Sequence, residues 1–99
     1  MGAGLTTDSP VRDNPDRSRY ELDTPDGPAI ASYERDGDRL ALTHTIVPSQ
    51  RGRRGVASRL IAGVLADVRR RELTIVPVCS FVSAYLRRHP QEGDLVSAA

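Results

Sequence analysis

The stretch from Thr45 to Arg71, TIVPSQRGRRGVASRLIAGVLADVRRR, joins an apolar strand to an amphipathic helix through a loop of arginine and glycine. It constrains the fold more than any other part of the chain. Val56, Ala57, Leu60, Ile61, Val64, Leu65 and Val68 recur at intervals of three and four, while Ser58, Arg59, Asp67, Arg69 and Arg70 fall elsewhere. This spacing predicts a helix from Gly55 to Arg71, roughly 25 Å long at about 1.5 Å per residue, enough to cross a small sheet. Its six large aliphatic side chains contribute on the order of 9 to 18 kcal/mol when fully buried, before chain entropy is set against them. At the helix start the first backbone N–H groups have no intrahelical acceptor, and the aligned peptide dipoles make that end electropositive. An anion fits there. Gly52 and Gly55 let the backbone approach a ligand, and Arg51, Arg53 and Arg54 add charge suited to a phosphate or pyrophosphate.

Ninety-nine residues with a hydrophobic fraction of 38%, one Phe and no Trp suit one domain with a small core. One Cys excludes an intramolecular disulfide, and no apolar run approaches the roughly eighteen residues of a membrane span. The start MGAGLTTDSP lacks the basic end and apolar centre of a secretory signal, so a soluble cytoplasmic protein is expected. All 14 basic residues are Arg, a bias that suggests GC-rich coding and a bacterial source. The net charge of +1 conceals an asymmetry: residues 1–48 carry −4 and residues 49–99 carry +5. A basic half containing the loop suits a polyanionic ligand, although Arg69 to Arg71 read more simply as cations at a helix C-terminus. Nucleic-acid binding is disfavoured by the lack of interleaved aromatics, of a recognised motif and of strong net positive charge.

Residues 1–17 hold almost no large apolar side chains and are expected to form a disordered tail, with the domain spanning residues 18–96. Arg19 to Asp23 reads as a strand, Thr24-Pro25-Asp26-Gly27 as a turn, and Pro28 to Glu34 as a second strand. Asp36-Gly37 turns the chain into a third strand, Arg39 to Val47, completing an antiparallel meander. Strict alternation there places Leu40, Leu42, His44 and Ile46 on one face and Ala41, Thr43, Thr45 and Val47 on the other. After the helix, Leu73 to Val78 reads as a strand buried on both faces, joined by a right-handed crossover. Ser80 caps a second helix over Phe81 to Arg88, which His89-Pro90 ends. From Gln91 the tail is too short for another element, with Leu95 and Val96 available to dock. The fold class is therefore α/β: helices against a mixed sheet in the order β-β-β-α-β-α.

Three segments carry a family resemblance: HTIVP at 44–48, RRGVASRL at 53–60, and VPVCSFVSAYLRRHP at 76–90 followed by Asp94-Leu95-Val96. From about Tyr20 to Val96 the chain resembles the GNAT superfamily of N-acetyltransferases, and within it the small single-domain branch often called Yjdj-type. The resemblance implies acetyl-CoA as cosubstrate, no metal, and a pyrophosphate held at the turn before the long helix. The superfamily loop pattern is Gln/Arg-x-x-Gly-x-Gly/Ala. Gly55 and Ala57 occupy its last two defined positions, whereas the first falls on Gly52, with Arg51 one residue earlier. Cofactor contacts implied by the resemblance are thus Arg51, Gly52, Arg53, Arg54, Gly55, Val56 and Ala57, with backbone groups of Ile46 and Val47 pairing edgewise with the pantetheine arm.

Acetyl transfer to an amine needs a neutral nucleophile, donors for the oxyanion and a proton for the departing thiolate. The resemblance implies Tyr85 as the proton donor; from spacing alone it is equally a core aromatic. Cys79 matches a cysteine considered a nucleophile in the small branch, where a following helix N-terminus would lower its pKa; a small buried hydrophobe is the simpler reading. His44 matches the family histidine of a His-Thr pair and would act as general base, or as a hydrogen-bonded core residue. His44 and Cys79 would form a base and nucleophile pair if their strands were neighbours and their side chains met. With two His and one Cys there is no zinc spacing.

The resulting expectation is an acetyl-CoA-dependent N-acetyltransferase acting on an amine whose identity the sequence does not define, or alternatively a non-catalytic acyl-CoA-binding module. A monomer is the default at this size, and an exposed first strand would permit a dimer.

Overall fold

The computed structural model describes residues 10–48 and 52–97, and of Arg54 the backbone only. We label the strands β1 (Arg12–Asn14), β2 (Arg19–Thr24), β3 (Gly27–Asp36), β4 (Arg39–Ile46) and β5 (Thr74–Pro77), and the helices α1 (Arg53–Arg70) and α2 (Ser80–Arg88). Short 3-10 segments lie at Pro15–Arg17 and Pro90–Leu95. Among the described residues one sheet runs in the order β1-β2-β3-β4-β5, antiparallel except for the parallel β4–β5 pair. The expected mixed sheet, its meander and its crossover through α1 are all present. No helix among the described residues is long and apolar enough to cross a membrane.

Alternation sets one face of the sheet inward. Tyr20 and Leu22 on β2, Ala29, Ala31 and Tyr33 on β3, Leu40 and Leu42 on β4 and Ile75 on β5 are all buried. Leu60, Ile61, Val64, Leu65 and Val68 of α1 complete this core, as the helical spacing requires. On β5 only Ile75 is fully buried. The expectation of a strand covered on both faces therefore fails, because the core lies on one side of the sheet.

The expected tail also needs correction. Arg12–Asn14 pairs with β2, and Val11 packs against the core. Asp13 accepts the Tyr33 hydroxyl at 2.6 Å and pairs with Arg71 at 3.1 Å. Ladder bonds and polar side chains hold this segment, which a count of apolar residues does not register; residues 1–9 lie outside the described residues. At the other end, the stretch after Gln91 is an element after all. Leu95 is buried, Val96 bridges Ile75, and the Ser97 N–H donates to the Ile75 carbonyl at 2.8 Å. Arg69 clamps it through Glu92 and Asp94, both at 2.8 Å, so this arginine works at the helix C-terminus without a ligand.

The face assignment of β4 changes halfway along the strand. Its register against β3 shifts at Ser32/Tyr33: Tyr33 pairs with Leu42, but Ser32 pairs with His44. Thr43 is the extra residue of a β-bulge, and everything beyond it is turned over. Thr45, opposite the buried Ala31, now shares the inner face with Leu40 and Leu42. His44 and Ile46 point outward, Ile46 being 55% exposed, contrary to the face read from strict alternation.

Candidate active site

The parallel pairing of β4 with β5 ends at Leu42 and Pro77, and the Cys79 N–H donates to the Leu42 carbonyl at 2.8 Å. Beyond this point β4 has no β5 partner. Into the opening runs a cavity of about 670 Å³ lined by Thr45, Val47, Gly52, Arg53, Gly55, Ala57 and Phe81. Three elements supply its walls: the end of β4 after the bulge, the first turn of α1, and the start of α2.

The α1 wall is built for close approach. Gly52 is the N-cap at φ 65°, a left-handed conformation that disfavours side chains, and it provides no capping side chain. Val56 N–H closes the first helical bond on the Gly52 carbonyl at 3.0 Å, so the amides before it belong to the electropositive first turn. That turn contains no acidic residue. Gly55 is already helical, and a Cβ built on it would meet nothing within 4 Å. Packing therefore does not require glycine there, although glycine costs about 1 kcal/mol relative to alanine inside a helix. The space it leaves open faces the cavity. Backbone donors, Arg53 and the apolar Val47, Ala57 and Phe81 together suit an anionic group carried on a thin apolar arm.

Cys79 is the N-cap of α2, one residue before the position expected for the cap. Its Sγ lies 3.4 Å from Thr45 Oγ1 on the cavity wall. Burial pushes its pKa up, but the Thr45 hydroxyl and the N–H groups of Val82, Phe81 and Thr45 more than offset this, leaving it below the ordinary thiol value. The Phe81 and Val82 amides favour the thiolate without forming a regular capping bond.

The other site residues are distributed around this centre. His44 is exposed, with Nδ1 3.2 Å from its neighbour Thr43 Oγ1. It leaves β4 on the face opposite Thr45, so neighbouring strands do not bring the imidazole onto the thiol. Tyr85 is buried in the core, stacks on His89 with ring centroids 4.0 Å apart, and is not among the residues lining the cavity. Burial first, then Glu92, pushes its phenol up. Val56 is half-buried against the core. Arg51 and the Arg54 side chain lie outside the described residues. Sequence reasoning missed Thr45 and Phe81. The facing of Thr45 depends on a bulge defined by the partner strand, and Phe81 reads in the sequence only as the first residue of its helix.

The family model described as GCN5-related N-acetyl-transferase matches residues 19–95. Among solved structures, the chain superposes on the NMR solution structure of a GCN5-like N-acetyltransferase candidate from Staphylococcus aureus with a TM-score of 0.68. That match covers 95% of this chain and 93% of the other at 21% identity, a likeness of fold.

Proposed function

This chain belongs to the GCN5-related N-acetyl-transferase family, and from that premise we propose that it transfers an acetyl group from acetyl-CoA to an amine. The observation that carries this reading is the cavity where β4 and β5 separate, with the glycine-rich first turn of α1 as one wall. The first-turn amides and Arg53, joined by Arg51 and Arg54, hold the pyrophosphate; Gly52, Gly55 and Ala57 leave it room. Backbone groups of Ile46 and Val47, beyond the last β4–β5 pair, meet the pantetheine amides as an added strand would. The Cys-x-Phe-Val-x-x-Tyr segment from Cys79 to Tyr85 favours the small Yjdj-type branch.

The contact between Cys79 and Thr45 favours a route through the thiol over direct transfer. The Cys79 thiolate attacks the thioester carbonyl: the Sγ–C bond forms, the C–S bond to CoA breaks, and CoA leaves as a thiolate that takes up a proton from water. The amine then attacks the acetyl-cysteine; the N–C bond forms, the Sγ–C bond breaks, the nitrogen loses a proton and the Cys79 thiolate returns. In this reading His44, outward on β4, takes that proton from an amine that approaches from the other face of the sheet. Tyr85, stacked in the core, supports α2 rather than reaching the thiolate.

Titration calorimetry with acetyl-CoA and CoA, on the wild type and on Gly55→Glu, tests the cavity. Micromolar binding abolished by the carboxylate, in a variant that remains folded, is the expected result; binding indifferent to it overturns the assignment. Mass spectrometry of protein mixed with acetyl-CoA in the absence of an amine should find one acetyl group on Cys79, and an unmodified Cys79 in a preparation that acetylates an amine once one is added would return the mechanism to direct transfer. His44→Ala should lower turnover without changing acetyl-CoA affinity. Binding without turnover over a broad amine panel would instead favour the acyl-CoA-binding module.

A further inference from the structure

We propose that Thr45 is a positioning residue of this site, its hydroxyl reaching from the cavity wall to the sulfur of Cys79, which is not itself among the lining residues, and orienting it toward an arriving acyl group. The inference rests on the acyl-transfer reading above and adds to it a residue that neither the loop pattern nor the cysteine segment contains.

Three observations converge on Thr45. The bulge at Thr43 turns it inward, opposite Ala31, which is 1% exposed; a regular strand would have turned it out. Its Oγ1 stands 3.4 Å from Sγ, within reach of a hydrogen bond to sulfur. Among the described lining residues it supplies the one side-chain hydroxyl, the others being apolar, glycine or arginine. A β-branched side chain in a strand has few rotamers, and the cross-strand contact with Ala31 restricts it further, so the hydroxyl direction is preset. A thiolate only accepts, and a threonine hydroxyl can donate one proton, so the bond runs from Oγ1 to the ionised sulfur.

Around the thiol, the titratable groups on the packed elements are few. His44 on β4 leaves from the opposite face, Arg53 lies on the α1 wall of the cavity, and Tyr85 on α2 faces the core with Glu92 beyond it. The first-turn amides of α2 act on the sulfur through the backbone, and a change at Thr45 leaves them in place.

The test uses the single cysteine of the chain, whose alkylation by iodoacetamide reports the thiolate without any acyl donor. Rates are measured from pH 5 to 10 on the wild type, Thr45→Val and Thr45→Ser. Losing one hydrogen bond to the thiolate lowers its fraction at pH 7 about tenfold. The more basic thiol is also more nucleophilic, so the rate at pH 7 falls only about threefold, while the plateau at high pH rises. Thr45→Ser should follow the wild type. A Thr45→Val profile that superimposes on the wild type overturns the proposal, and so does a Thr45→Ser profile displaced as far as that of Thr45→Val. Should Thr45→Val fail to give a folded amide spectrum, Thr45→Ala supplies the same comparison. Calorimetry with acetyl-CoA on the wild type judges the acyl-transfer reading separately: absent binding sinks that reading, while the alkylation profiles alone decide whether Thr45 governs the sulfur.

Discussion

Ser32 pairs with His44 while the next residue of its strand, Tyr33, pairs with Leu42. Thr43 is left over, its hydroxyl donating to the Ser32 carbonyl at 3.3 Å. Through this irregularity, consecutive residues His44 and Thr45 address opposite sides of the sheet in the sense the cavity needs. Deleting Thr43 removes the unpaired residue, so Leu42, His44 and Thr45 keep their partners Tyr33, Ser32 and Ala31 and with them their faces. The expected outcome is acetyl-CoA affinity in calorimetry close to that of the wild type, with helical circular dichroism retained. Loss of binding in the folded variant would mean that the bulge itself, and not only the facing of Thr45 and Val47, shapes the strand wall of the site.

Gly55→Ala separates stability from binding. The added methyl meets no atom within 4 Å and relieves a glycine in the first turn of a helix, so the free protein should gain about 0.5 to 1 kcal/mol. Thermal melting should rise by several degrees, about 4 to 8 °C per kcal/mol for a domain of this size. Affinity for acetyl-CoA should fall at the same time. A gain in both quantities would show that the glycine does not serve ligand approach.

Tyr33→Phe removes the donor that ties Asp13 to the sheet. The hydroxyl gives its 2.6 Å bond to Asp13, while Tyr20, 5.6 Å away between ring centroids, gives a 2.7 Å bond to Asp67. Arg71 bridges the two carboxylates at 3.1 Å each, and Arg70 also pairs with Asp67. Losing one such bond to a half-buried carboxylate should cost about 1 to 2 kcal/mol. Hydrogen exchange of the Arg12 to Asn14 amides should accelerate by more than the global loss explains, because β1 is a three-residue strand at the sheet edge and the Tyr33 hydroxyl is one of the side-chain ties that dock it. Exchange at β1 that tracks global stability alone would contradict this role.

Glu21 gives the chain an acid-sensitive anchor. Arg19 at 2.7 Å, then Asn14 at 3.1 Å, hold its carboxylate below the ordinary value of 4.5, against the opposing effect of burial. A depressed folded pKa contributes stability that is complete above the unfolded value and lost as pH falls through the folded one. Melting temperatures of the wild type and Glu21→Gln should therefore differ at pH 7, with the wild type higher, and converge below about pH 4.5. A constant difference down to pH 2 would show that the Glu21 charge is not responsible.

Much of the architecture is local in origin. The apolar stripe of α1 follows from spacing at three and four residues, the hairpin at Gly37 from a residue that takes φ 62°, and the anion-ready turn from glycine and arginine ahead of that stripe. Family membership was likewise readable, since Cys79 to Pro90 and Arg53 to Leu60 are contiguous segments. What only the tertiary structure decided depends on partners distant in sequence. The bulge exists because β3 and β4 differ in count by one residue between their paired positions, and alternation within β4 alone cannot reveal it; His44 was therefore placed on the wrong face and Thr45 passed unnoticed. The order in Arg12 to Asn14 comes from Tyr33 and Arg71, side chains 20 and 58 positions away from Asp13, and the docking of Val96 from a bridge to Ile75. Local spacing determines which face of a helix is apolar; only pairing between strands determines which residues of a strand meet across the cavity.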